Sequence, residues 1–234
     1  MQDILSKVRR CVQDYGMIGP GDGVAAGLSG GKDSLLLVQA LALLRGFYPV
    51  PYTLRAITID NGIPGADFTP LADFCAALEV PHHIVKTDIA EVVFDIRQES
   101  NPCALCAKMR RGALHAAAVE RGCRVVALGH HCDDAVATAL MNLLYEGRFA
   151  SFAPKTYLDR RDVTVIRPLL YVEEKDIAPY ARRLPVMASP CPVNGQTKRQ
   201  EAGALLRSLR EKYPEIKQRI FHALQGTPGW AREK

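Results

Sequence analysis

Three short segments concentrate the residue types that do chemistry. The first, Ser29-Gly30-Gly31-Lys32-Asp33-Ser34, places paired glycines among two hydroxyls, a lysine and a carboxylate. Glycine lets a backbone approach an oxyanion closely because no Cβ intervenes. Amides at the start of a following helix, with its positive dipole end, favour phosphate. Lys32 adds a point charge, and Ser29 and Ser34 add hydroxyl donors. The spacing is not that of the longer G-x-x-x-x-G-K-[ST] loop. The second segment is Gly129-His130-His131-Cys132-Asp133-Asp134. Two carboxylates at a helix start suit the dipole and can hold magnesium, a hard cation that takes oxygen ligands. One of them is expected to cap the helix and the other to serve a nucleotide. His130 and His131 are read as structural or substrate-positioning groups.

The third segment is Pro102-Cys103-Ala104-Leu105-Cys106. A CxxC is compatible with a redox pair, half of a zinc site, or part of an iron–sulfur site. No His or Cys pair follows at short spacing to complete a zinc finger. A further candidate ligand, Cys191, lies far along the chain in the proline frame Ser189-Pro190-Cys191-Pro192. Cys11, Cys75 and Cys123 sit in apolar surroundings and are expected to be packing residues.

These segments need strand ends to hold them, and the hydrophobic pattern supplies such ends. Val24–Leu28 reads as a short buried strand, and Leu54–Ile59, His82–Val85, Val125–Leu128 and Val163–Ile166 read as further strands. Between them, helices are expected over Leu35–Leu44, Phe68–Leu78, residues 105–121 and residues 133–145, with an amphipathic helix near the N-terminus. Alternating strands and helices predict an α/β fold with a doubly wound parallel sheet. Ligands bind such sheets beyond the carboxyl ends of the strands. The loops at 29–34, 60–65 and 129–134 all leave strand ends and are expected to converge on one crevice, Asp60 among them. From Glu173 onward the pattern is helical. Residues 196–224 carry Lys198, Arg199, Arg207, Arg210, Lys212, Lys217 and Arg219 among apolar residues.

The bulk numbers set bounds. The chain has 234 residues, of which 48% are hydrophobic and 24% charged, and its mean hydropathy is -0.04. That is enough to bury one core, and it excludes a disordered chain. We therefore expect a single domain: an N-terminal helix over 1–20, a nucleotide-binding core over 22–185 and a basic helical extension over 186–234. No apolar run approaches the ~18 residues of a membrane span. The scattered charges of Met1–Arg10 do not form a signal peptide, so a cytoplasmic location is expected. Seven cysteines, an odd count, argue for metal or cluster binding rather than a disulfide framework. A net charge of +5 permits a polyanionic partner.

The segment Ser29–Ser34 resembles the S-G-G-x-D-S signature of the PP-loop ATP pyrophosphatase superfamily. That resemblance implies an adenine nucleotide alpha hydrolase-like, Rossmann-like fold. It also implies cleavage of ATP between its α- and β-phosphates, with adenylation of a substrate oxygen. Within that superfamily the chain is similar to the TtcA family of tRNA 2-thiocytidine synthetases. The resemblance is carried by Pro102-Cys103-x-x-Cys106 with Met109-Arg110-Arg111-Gly112, by Gly129-His130-His131-x-Asp133-Asp134, and by Ile166-Arg167-Pro168-Leu169 with Glu174-Lys175-Asp176-Ile177. It runs from about Gly27 to the C-terminal helices.

The family resemblance implies a 4Fe-4S cluster held by Cys103, Cys106 and Cys191, with one iron left free to take sulfide. It implies ATP with Mg2+, bound through Ser29, Gly30, Gly31, Lys32, Asp33, Ser34, Asp60, Gly129 and Asp134. Lys32, Asp33, Asp133 and Arg110 are the implied catalytic set, with Arg110 and Arg111 at the start of the helix after the CxxC. Implied partners are tRNA, a cysteine desulfurase or other sulfide donor, and a second copy in a homodimer. The basic tail would supply sequence-independent phosphate contacts. Two positions depart from the family pattern. Asn194 stands where a second CxxC would end, leaving three thiolates, and Cys132 stands where Arg is common. Two other readings remain open from the residues: an adenylating ligase with another acceptor and a structural zinc, and an ATP-binding redox sensor without catalysis.

Overall fold

The computed structural model describes residues 1–98, 102–188 and 198–232, with 198–200 described by backbone alone. Six strands form one sheet: β1 (Gly23–Gly27), β2 (Thr53–Asp60), β3 (His82–Lys86), β4 (Val125–Ala127), β5 (Lys155–Leu158) and β6 (Val163–Ile166). Their order is β3-β2-β1-β4-β6-β5. β1 pairs in parallel with both β2 and β4, β2 with β3, and β4 with β6. The chain thus steps outward from β1 on one side, then returns to start again at β4. The helices that follow β1 and β4 both pack on the face that carries Val24, Ala26 and Ala127, so the loops leaving these neighbouring strands lie side by side at the carboxyl end of the sheet, where ligands bind such folds.

The sheet differs from the purely parallel expectation at one edge, where β5 runs antiparallel to β6. β5 is short and partly exposed along its length, so it carries none of the apolar run that marks a buried parallel strand. The other five strands lie where the sequence predicts them, to within a residue or two.

Eight helices are described: α1 (Gln2–Asp14), α2 (Lys32–Leu44), α3 (Thr69–Ala77), α4 (Pro102–Glu120), α5 (Cys132–Glu146), α6 (Glu174–Ala181), α7 (Lys198–Lys212) and α8 (Ile216–Gln225). α2 is buried almost all round, through Leu35–Val38, Ala40, Leu41 and Leu44. That suits its place under the sheet with α1 and α6 against its outer side. On the other face, Leu114, Ala117 and Ala118 of α4 meet Ala25 of β1, Ile57 of β2 and Val126 of β4. β1 reads Gly-Val-Ala-Ala-Gly; its small side chains let helices close on both sides of the central strand.

α4 begins at Pro102, earlier than the expected residue 105, because proline's fixed φ suits a first helical position. The CxxC therefore lies inside the helix, with Cys103 in its first turn and Cys106 opening the second. The C-terminal helices are packed into the body. Ala202 and Leu206 of α7 lie against Cys132, Val136 and Leu140 of α5. Beyond α8, Trp230 is buried edge-on to Tyr15 and Phe221, with ring centroids 6.5 and 5.7 Å away. Among the described residues no helix is long and apolar enough to cross a membrane.

Candidate active site

The phosphate loop is held from behind by the strand end. Buried Thr58 of β2 donates its hydroxyl to the Leu28 carbonyl at 2.8 Å, and His82 Nε2 lies 2.8 Å from the Thr58 hydroxyl oxygen. Within the loop, Ser34 Oγ accepts from the Ser29 N–H at 3.1 Å and donates to the Gly31 carbonyl at 2.8 Å. Ser29 Oγ donates to Ser34 Oγ at 3.1 Å and accepts from the Gly31 N–H at 3.4 Å. Both serines thus fold the loop on itself. α2 starts at Lys32 with Gly31 as its N-cap and no side-chain cap. Its first amides therefore keep their donors for an anion.

Lys32 Nζ sits 3.1 Å from Asp33 and 3.2 Å from Glu174 Oε1. Burial opposes its charge, but those two carboxylates outweigh burial and raise its pKa, so it is a fixed cation. Sequence reasoning gave Glu174 no such place, because the two residues are brought together by α6 crossing the end of α2.

The second segment meets the first directly. A Cβ added to Gly129 would lie 3.1 Å from the Asp33 carbonyl and 3.2 Å from the Ser34 nitrogen, so only glycine lets the two loops touch this closely. His131, 5% exposed, is ringed by carboxylates: Nε2 is 3.8 Å from Asp33 and 3.5 Å from Asp134, and Nδ1 is 3.6 Å from Asp133. Burial works against its protonation, yet the three acids raise its pKa. Asp134 accepts from the His131 N–H at 3.1 Å, the contact of a helix cap. Asp133 accepts from the Glu174 N–H at 2.7 Å and from Lys217 Nζ at 2.8 Å. Burial opposes its charge, but His131, then Lys217 and the Glu174 N–H, outweigh burial and depress its pKa strongly.

Lys217 also pairs with Glu173 and is 2% exposed. The tail is expected to supply phosphate contacts, and Lys217 departs from that by turning inward. Lys217 faces inward because two carboxylates wait there, whereas Arg207, Arg210, Lys212 and Arg219 are exposed.

The remaining candidates are placed as follows. Asp60 ends β2, and its carboxylate accepts from the Gly62 N–H at 2.9 Å, so it borders the crevice one strand away from the phosphate loop. Cys103 is exposed and Cys106 half-buried, one turn apart near the start of α4. Spacings of three, four and four residues put Cys103, Cys106, Arg110 and Leu114 on one stripe of that helix. Leu114 packs against Gly27 at the end of β1. Arg110 and Arg111 thus lie over two turns into the helix, not at its start, and Arg111 Nε donates to the Ala107 carbonyl at 3.2 Å.

Cys191 and Asn194 lie outside the described residues. Met187, four positions before Cys191, donates its N–H to the Gly30 carbonyl at 3.0 Å. Among the described residues no three His, Cys, Asp or Glu side chains gather as metal ligands, and the described cysteines form no disulfide.

One group was legible only as part of a motif. Arg167, just past β6, lays its guanidinium over Phe152 at 4.9 Å, and the His130 ring lies 4.8 Å from the same phenyl ring. Burial, then the charge of Arg111, push its pKa down to about 10. It remains charged at neutral pH and adds a cationic, aromatic flank beside the second loop.

A doubly wound sheet with a self-bonded serine–glycine loop at its switch point defines a nucleotide-binding PP-loop protein, and the PP-loop domain family matches residues 3–188. The chain belongs to that family and, within it, to the tRNA-cytidine(32) 2-sulfurtransferases. It is 40% identical over 226 residues to the enzyme of that name from Geobacter sulfurreducens, covering 94% of this chain and 88% of the relative. The Xylella fastidiosa enzyme is 39% identical over 224 residues, 93% of this chain and 74% of that one. Among solved structures, the U34-tRNA thiolase NcsA from Methanococcus maripaludis, with its [4Fe-4S] cluster, superposes with a TM-score of 0.77 at 27% identity. That match covers 96% of this chain and 77% of the thiolase.

Proposed function

We propose that this protein is an ATP-dependent tRNA sulfurtransferase that converts a cytidine, at position 32 as in its relatives, into 2-thiocytidine. One observation carries the reading furthest: Gly129 brings the second loop into contact with Asp33 and Ser34 of the phosphate loop. The helix bearing Cys103 and Cys106 packs on the strand that ends in that loop.

The C2 carbonyl oxygen is a poor leaving group. Its attack on the α-phosphorus of ATP expels pyrophosphate and turns the oxygen into part of AMP, which departs with its bonding electrons as sulfur takes C2. Ser29, Gly30, Gly31 and Ser34 shape the loop, and the amides opening α2 donate to the phosphates. Lys32 neutralises the charge that pyrophosphate gains as it leaves. Asp33 and Asp134, both beside His131 Nε2, are the carboxylates we assign to Mg2+, which favours oxygen ligands. Asp60 borders the nucleotide from β2. Arg110, on the cysteine stripe, faces the activated base or a tRNA phosphate.

Cys103, Cys106 and Cys191 would hold a 4Fe-4S cluster. Two soft thiolates one helical turn apart, outside any disulfide, fit that group. When bound, the cluster supplies sulfur to the activated carbon. Arg207, Arg210, Lys212 and Arg219 offer a basic face to tRNA. A cysteine desulfurase or another sulfide donor, a cytoplasmic location and a homodimer complete the proposal.

Mass spectrometry of tRNA nucleosides from a deletion strain tests it. Loss of 2-thiocytidine alone, restored by the gene, is expected. An unchanged nucleoside profile would overturn the assignment.

A further inference from the structure

Of the described lysines and arginines, Lys217 is the one buried from solvent, and it comes from outside the matched PP-loop domain, which ends at residue 188. An ammonium withdrawn from water is costly unless it is paired. Here two carboxylates share it, Asp133 at 2.8 Å and Glu173. Asp133 is the second residue of α5, and its other oxygen holds the Glu174 N–H at 2.7 Å. The side chain of Glu174 reaches Lys32 at 3.2 Å. An unbroken set of charged contacts therefore runs from α8 through Asp133 and the start of α6 to the lysine of the phosphate loop. Cys132, beside Asp133, packs against Ala202 and Leu206 of the same extension.

Removing the ammonium would leave Asp133 and Glu173 facing each other without the cation they share, with His131 still 3.6 Å from Asp133 and Lys175 3.3 Å from Glu173 on their outer sides. Two like charges so placed are driven apart. That separation moves the start of α6, and with it the Glu174 contact to Lys32.

We propose that Lys217 is a positioning residue for ATP activation. Through Asp133 and Glu173 it locks the C-terminal extension onto the nucleotide site and sets where Lys32 stands. The extension is thereby part of the adenylating machinery as well as a surface for tRNA. This deepens the sulfurtransferase reading and rests on it.

The test uses the full chain, reconstituted anaerobically, with ATP, tRNA and sulfide, and follows pyrophosphate release. Wild-type protein that releases no pyrophosphate would sink the sulfurtransferase reading itself, before any variant is compared. Given an active wild type, Lys217→Met is expected to raise KM for ATP at least tenfold while kcat at saturating ATP stays within about threefold. Lys217→Arg, which keeps the charge, should recover most of the loss. Arg9→Met, on the exposed face of α1, should leave KM unchanged. If the methionine variant does not fold, Lys217→Gln is measured instead; its amide can still donate to the carboxylates, and a smaller rise in the same constant is expected. A folded variant of either kind with wild-type KM overturns the inference. So does one that loses tRNA affinity alone, which would make Lys217 a phosphate contact.

Discussion

Met187 donates its backbone N–H to the Gly30 carbonyl at 3.0 Å, and its side chain fills the space above that glycine. A Cβ on Gly30 would stand 2.9 Å from Met187 Sδ. The segment that leads toward Cys191 is thus bonded to the loop assigned to pyrophosphate. Gly30 also holds φ at +82°, a conformation that costs an L-residue about 1–2 kcal/mol.

Gly30→Ala is accordingly expected to destabilise the fold by about 1–2 kcal/mol from the backbone alone, with a further cost from displacing Met187. Urea denaturation measures the sum. Adding Met187→Ala should recover the steric part and leave the backbone part. Full recovery in the double variant would show that strain at Gly30 is absent.

Lys32→Met should lower kcat/KM for pyrophosphate release by about 10²–10³, the size seen when one preorganised donor to a developing anion is lost. Stability should hardly change, because the contacts to Asp33 and Glu174 are partly exposed and such pairs are worth ~1 kcal/mol or less. A variant that loses stability and keeps its rate would assign Lys32 to structure.

His131 sets a pH dependence. Burial opposes its charge, but Asp133, Asp134 and Asp33 prevail, so its folded pKa lies above the usual value of about 6.5. A raised histidine contributes stability that is fully present below the unfolded pKa and is lost as pH rises through the folded one. The stability gap between wild type and His131→Gln should therefore be widest near about pH 5.5 and shrink toward about pH 8.5. Denaturant titrations at the two ends check the sign, and a gap that grows with pH would contradict it.

Cys103→Ala, Cys106→Ala and Cys191→Ala should each bleach the brown colour of anaerobically purified protein. Cys75→Ala and Cys123→Ala should keep it, since both side chains are buried in apolar clusters. Iron and sulfide analysis provides the count. Zinc without iron in the wild type would favour a structural metal instead.

Trp230→Ala should cost about 3–5 kcal/mol, the range for emptying a large buried aromatic site. The loss would loosen the extension from Tyr15 and Phe221, its neighbours in the core.

Local signals were enough for much of this molecule. The Ser29–Ser34 loop, the Gly129–Asp134 loop and the CxxC are contiguous, so their chemistry could be read before any fold was known. The partly exposed edge strand β3 showed only through Ile84 and Val85, whereas the four inner strands and the helices announced themselves because buried strands and the helices covering them leave apolar runs. β5 left none, being short and half-covered at an edge. Contacts distant in the chain left no trace of themselves either. Glu174 against Lys32, Met187 over Gly30 and Arg167 on Phe152 depend on which strand ends meet at the β1–β4 switch. Lys217 makes the point most sharply. In the sequence it is one cation among several on a basic helix, and a charged side chain there is expected to face water. Its inward turn follows from the packing of α8 on α5, which sets two carboxylates where the ammonium must go.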